Sequence, residues 1–202
     1  MNYLAIDTSN KNLTVIFYVD NKEYSIFRPN CGVNHSVELM PAIEKAVSTA
    51  NKSLDDVDFF CAVVGAGSFT GIRIGVSTAK ALCFAKNKPC LAVTSFDTMA
   101  YNKKDENLLA VIDAKHDSYY VCGYKNSSVS FAPSFVGKQE VLNLSKEYTL
   151  ISTEEIEGLK TTIVSPLEGL KKAIEAKIGE VTFDLESLSP LYIRKSQAEE
   201  GR

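Results

Sequence analysis

A chain of 202 residues, 45% hydrophobic and 23% charged, is long enough to bury a core without disulfide or metal staples, as one large domain or two small ones. Its formal charge is −3, and its basic residues are nearly all lysine, the arginines being Arg28, Arg73, Arg194 and Arg202. That balance disfavours direct nucleic-acid binding, which draws on Lys and Arg neutralising phosphates. The N-terminus MNYLAIDTSN has no basic leader, and no run of residues approaches a membrane span. The five cysteines (Cys31, Cys61, Cys83, Cys90, Cys122) are odd in number and widely spaced. Reduced thiols in a soluble, cytoplasmic chain are the expectation.

The first half reads as three strands, then helix, strand, helix, strand, helix. Tyr3–Asp7 and Asn12–Tyr18 are apolar or β-branched runs around the turn Thr8-Ser9-Asn10-Lys11, and Asp20-Asn21 leads into Glu23–Phe27. Helical spacing over His35–Ala50 puts Val37, Met40, Ile43 (or Ala42), Val47 and Ala50 on one side and Glu38, Glu44 and Lys45 on the other. Pro41 falls near its start, where a missing N–H is least harmful. Asp58–Val64 is a near-continuous apolar run, the pattern of a strand buried on both faces. Gly65–Gly71 makes a sharp connection into a helix over Thr70–Lys86; Pro89–Val93 is a short strand, and Ser95-Phe96-Asp97-Thr98 opens another helix.

The charged stretch Asn102–Glu106 is the candidate linker, dividing the chain into residues 1–104 and 105–202. Beyond it the pattern starts again. Leu108–Asp113 is an apolar strand ending in Asp, as Tyr3–Asp7 is; Ser118–Tyr124 and Val129–Phe135 follow, separated by polar turns. A short helix near Gln139–Leu144, strands near Tyr148–Ile151 and Thr162–Val164, and an amphipathic helix over Pro166–Ile178 complete it. This repeat predicts an internal duplication. The expected fold is α/β: two actin-like, sugar-kinase-like (ASKHA, RNase H-like) domains, each a mixed sheet flanked by helices, with the last segment returning to the first domain.

Gly65-Ala66-Gly67 before a helix reads either as a tight turn, capped by Ser68 or Thr70, or as an anion cradle. It meets neither the Walker A pattern, since Ile72 and Arg73 follow Gly71, nor the dinucleotide or nucleophile-elbow spacings. Gly71, Gly75 and Ala79 recur at i, i+4, i+8, either to pack closely on the chain's own sheet or to admit a partner helix. His35 and His116 form no metal-ligand spacing, and His35-Ser36 opens a helix more readily than it serves as a ligand. A triad on Ser68 would need one of these histidines brought beside it. Asp7 and Asp113 are turn-capping residues, with phosphotransferase chemistry as the alternative.

LAIDTSNKNLTV, His35-Ser36 before Leu39-Met40-Pro41, the block from Gly65 to Gly75, Ile112-Asp113-Ala114, and Pro190-Leu191-Tyr192-Ile193-Arg194 together resemble the bacterial TsaB (YeaZ) family. Ala66 stands where that family has proline. The resemblance implies a role in making threonylcarbamoyladenosine beside the anticodon of tRNAs that read codons beginning with A. The implied role is that of a non-catalytic subunit paired with TsaD, which carries the metal-binding histidines, and working with the ATPase TsaE. No cofactor is expected on the isolated chain, ATP and a metal ion belonging to the partners, and tRNA is reached only indirectly. The resemblance places the pairing surface on helices 35–50 and 70–86. His35, Leu39, Ile43, Gly71, Ile72, Arg73, Gly75 and Ala79 are the candidate interface residues, and a homodimer through the same helices is the expectation when TsaD is absent. A glycoprotease-like hydrolase using Ser68 and a small-molecule phosphotransferase using Asp7 or Asp113 are the alternatives.

Overall fold

The computed structural model describes residues 1–103 and 107–194. Residues 104–106 of the expected linker and the polar tail from 195 lie outside the described residues. Chain contacts divide into two units: Met1–Thr94 with Ile174–Leu191, and Ser95–Ala173 with the chain resuming at Tyr192.

In the first unit β1 (Tyr3–Asp7), β2 (Leu13–Val19) and β3 (Lys22–Arg28) form an antiparallel meander, and β4 (Phe59–Val63) and β5 (Cys90–Val93) extend it in parallel, giving the order β3-β2-β1-β4-β5. Every residue of β1 and β4 is buried, as their uninterrupted apolar runs require in the middle of a covered sheet. Helices α1 (His35–Thr49) and α2 (Phe69–Lys86) connect β3 to β4 and β4 to β5. Leu39, Ala42, Ile43 and Ala46 of α1 and Ile72, Val76, Ala79 and Cys83 of α2 join Ile6, Val15 and Phe17 in one core. The segment after Ile174 closes the β5 edge, where Thr182 pairs with Cys90, and Leu191 N donates to Val64 O at 2.7 Å.

The second unit repeats the plan. β6 (Asn107–Asp113), β7 (Ser118–Lys125) and β8 (Ser128–Gly137) are the meander; α4 (Lys138–Leu144) leads to β9 (Thr149–Ser152), and β10 (Thr162–Ile163) ends the sheet, in the order β10-β9-β6-β7-β8. Read from the other edge, that is the first sheet's order with each strand advanced by five, so the duplication is real. Its core holds Leu109, Val111, Val121, Val141, Tyr148 and Leu150. Helix α3 (Ser95–Ala100) is buried at every residue and packs on β6, β7 and β9, with Tyr124 Oη donating to Asp97 Oδ1 at 2.8 Å. The division therefore falls after Thr94, not at 104. Helix α5 (Pro166–Lys177) passes from the second unit into the first at Ile174. No helix among the described residues is long and apolar enough to cross a membrane.

Candidate functional site

Strand β1 delivers Asp7, Thr8 and Ser9 to the N-terminus of α2, where the two segments pack backbone against backbone. Asp7 is fully buried; its Oδ1 accepts from Ser9 N at 2.8 Å and Ser9 Oγ at 2.6 Å, and its Oδ2 from Asn10 Nδ2 at 3.3 Å. Burial raises its carboxyl pKa, outweighing the opposing pull of those bonds and of the His35 ring. The glycine loop is occupied by the chain's own turn. Ser68 N donates to Ser9 O at 2.7 Å, and Thr8 Oγ1 donates to Gly71 O at 2.7 Å. A side chain on Gly67 would collide with Ser9 O, and one on Gly71 with Thr8 O. These positions are glycine so that two backbones can touch. With its Ser68 N–H given to Ser9 O, the loop forms a tight turn, with Ser68 as the N-cap accepting from Gly71 N at 3.2 Å.

The pieces of a Ser-His-Asp arrangement lie close together without being linked. His35 Nε2 faces Asn12 O at 3.1 Å, and its buried Nδ1 has no hydrogen-bond partner. Both that nitrogen and Ser68 Oγ flank Gly71, but no hydrogen bond joins them, and the Asp7 oxygens go to Ser9 and Asn10. His116 belongs to the second unit. Among the described residues no group of three or more His, Cys, Asp or Glu could hold a metal ion. The five cysteines are buried free thiols; burial raises Cys83 to about 12 and Cys122 to about 11.

The candidate interface residues need correction. His35, Leu39, Ile43, Gly71, Ile72, Gly75 and Ala79 are all buried inside the first unit, and only Arg73 is exposed. Gly75 is small because β1 is on top of it: a Cβ there would stand 2.5 Å from Thr8 Oγ1. The glycine stripe is packing for the chain's own sheet, so a large residue at 75 would test the fold and not an interface.

On α1 the helical spacing puts two outward residues on the inner side. Val37 and Met40, expected inside, are 70% and 44% exposed, and Val33 just before α1 is 94% exposed. Pro41 also faces solvent, two turns into α1 and not at its start, so its missing N–H leaves a carbonyl to water. On α2 the outward stripe is Thr70, Arg73, Ser77, Ala81 and Phe84, at helical spacings of three and four, and Phe84 is 83% exposed. A concavity of about 480 Å³ opens between Ser36 of α1 and Phe69, Thr70, Arg73, Ile74, Ser77 and Thr78 of α2. The Arg73 guanidinium lies 3.8 Å over the Phe69 ring. The lysines flanking this stripe are turned to their own unit: Lys80 to Glu186 at 3.6 Å, Lys86 to Asp55 at 2.9 Å. What remains exposed is a mixed face of small, polar and apolar side chains, with Val37, Met40 and Phe84 its large apolar members.

The family described as TsaD, tRNA N6-adenosine threonylcarbamoyltransferase, matches residues 26–178. The chain is 33% identical over 130 residues to a tRNA threonylcarbamoyladenosine biosynthesis protein TsaB of Bacillus subtilis, covering 62% of this chain and 57% of that protein. It is 31% identical over 129 residues to the Escherichia coli TsaB, covering 62% and 55%. The matched stretch thus spans little more than half the length of these relatives. A crystal structure from Pseudomonas aeruginosa, described as similar to peptidase YEAZ, superposes with a TM-score of 0.79 at 22% identity over 96% of this chain and 99% of that one.

Proposed function

Because the chain belongs to the tRNA N6-adenosine threonylcarbamoyltransferase (TsaD) family, on its TsaB (YeaZ) branch, we propose that it serves threonylcarbamoyladenosine biosynthesis as an accessory subunit, docking on a TsaD-type transferase through the outer face of α1 and α2. The observation that carries this reading is the exposed apolar set Val33, Val37, Met40 and Phe84, on helices whose inner sides are already fully packed. The sealed glycine loop supports the division of labour: chemistry, with any ATP or metal ion, is assigned to the partners, and tRNA is met through them. Docking acts by favouring a competent partner conformation, so its effect is bounded by the difference in affinity for that state.

Phe84→Ala and Val37→Ala test it. Both side chains are exposed, so the fold is expected to stand, while loss of an aromatic anchor weakens docking by about tenfold or more. Co-elution with a TsaD-type transferase on size exclusion, and transfer activity of the mixture, are the readouts. Undiminished co-elution of the double variant would refute the assigned face.

A further inference from the structure

The second unit carries a concavity that the docking reading does not use. Its volume is about 460 Å³, and it lies beside the β6–β7 turn. In the first unit the corresponding turn is sealed by the loop into α2. In the second, the connection from β9 to β10 contains no helix, and the space stays open.

Charged groups of both signs face this space. Lys115, His116 and Asp117 all take left-handed backbone conformations, with φ of 69°, 54° and 53°, unusual for three successive residues with side chains. The turn is held by Asp113, whose Oδ1 accepts from Lys115 N at 2.8 Å, and by Lys138 N donating to Asp117 O at 3.0 Å. Its effect is to present Lys115 and His116 at one wall, with Lys138 and Glu157 also lining the space. Each ammonium is steadied by a carboxylate: Lys115 Nζ lies 2.7 Å from Asp113 Oδ2, and Lys138 Nζ 3.7 Å from Asp117 Oδ1. Gly158, with φ of 75°, leaves its Cα bare beneath Lys138; a Cβ there would stand 2.6 Å from Nζ. The two buried members of the lining, Tyr119 and Ile156, supply an apolar floor.

A lining that mixes cations and carboxylates in nearly equal number gives little net attraction to an anion or to a cation. A small molecule bearing both charges gains from each. We propose that this concavity binds a small α-amino acid, its carboxylate between the Lys115 and Lys138 ammonium groups, its ammonium toward Glu157, and its side chain on Tyr119 and Ile156. The volume falls within the usual range for small-molecule sites, roughly 300–1,000 Å³, and leaves room for bridging water.

The test is amide-resolved NMR on the full chain, titrated separately with glycine, alanine, serine, acetate, ethylamine and inorganic phosphate. The expected result is saturable shifts confined to residues 113–119, Lys138 and 156–158 with the amino acids, at a Kd of about 1 mM. Acetate, ethylamine and phosphate should each bind at least about tenfold more weakly. Glu157→Gln and Lys138→Met, both at exposed side chains, should each weaken the amino acids by about tenfold with the melting temperature unchanged. No saturable shift up to about 50 mM would overturn the proposal. So would acetate or phosphate binding as well as an amino acid, which would make this an anion site only, or full affinity in both variants.

Discussion

Gly75→Ala separates packing from docking with a single methyl group. The added Cβ would lie 2.5 Å from Thr8 Oγ1 and 3.4 Å from Ile6 Cγ2. Thr8 cannot turn away freely, because its hydroxyl donates to Gly71 O at 2.7 Å and is buried. Relief therefore costs that hydrogen bond or a shift of β1 against α2, about 1–3 kcal/mol for a buried polar group left unsatisfied and a similar range for overpacking. Against this stands the helix-propensity gain of Ala over Gly, about 1 kcal/mol. We expect a net destabilisation of up to about 2 kcal/mol, which for a chain of this size lowers Tm by about 2–4 °C per kcal/mol. Urea denaturation followed by circular dichroism measures it. The same substitution made in a Thr8→Ala background should lose most of its penalty, because the clashing atom is gone, giving a coupling of about 1 kcal/mol or more. An equal effect of Gly75→Ala in both backgrounds would refute the assignment of this stripe to the chain's own sheet.

Three further outcomes follow from the same geometry. Asp7 has a folded pKa raised by burial above its ordinary 3.8, so the folded state holds the proton more tightly; stability should fall as pH rises through that window, and Asp7→Asn should flatten the decline in urea titrations across pH. Ser68→Ala should cost about 1 kcal/mol of stability through the lost helix cap, yet leave transfer activity of the complex intact; abolished activity in a folded variant would revive a nucleophilic serine. A thiol reagent should label the native chain slowly and the urea-unfolded chain fast, since all five cysteines are buried and burial holds Cys61, Cys83 and Cys122 as thiols; rapid native labelling would contradict that packing.

The strands were legible in the sequence because their signal is local. Tyr3–Asp7, Leu108–Asp113 and the polar turns after them follow from apolar runs and turn chemistry, and their repetition exposes the duplication. Which side of α1 faces inward was not legible. Val37 and Met40 are as apolar as Leu39, Ala42 and Ile43, and only the sheet's position decides between the two arcs. The glycine stripe was ambiguous for a different reason: what approaches Gly71 is a backbone carbonyl of Thr8, and such a contact leaves no mark on the type of the approaching residue. The interface expectation therefore named residues that the first unit buries in its own core, Arg73 excepted. The charged stretch near 104 likewise drew the boundary, although the burial of α3 against the second sheet sets it ten residues earlier.

The two turns that end in Asp7 and Asp113 show how one plan yields different surfaces. In the first unit an 18-residue helix follows β4, and its glycine-rich entry brings backbone onto the turn; Asp7 is buried, its pKa goes up, and its oxygens serve only neighbouring residues. In the second unit no helix lies between β9 and β10, and the turn lines an open concavity among the described residues. Burial still raises the Asp113 carboxyl, but the ammonium and backbone N–H of Lys115 outweigh it and leave its pKa below the ordinary value. The decisive difference is the chain that follows the parallel strand β4 or β9, since the first strand of each unit, β1 or β6, ends in aspartate in both. Leaving the second turn open keeps a charged hollow where a small ligand can still be held.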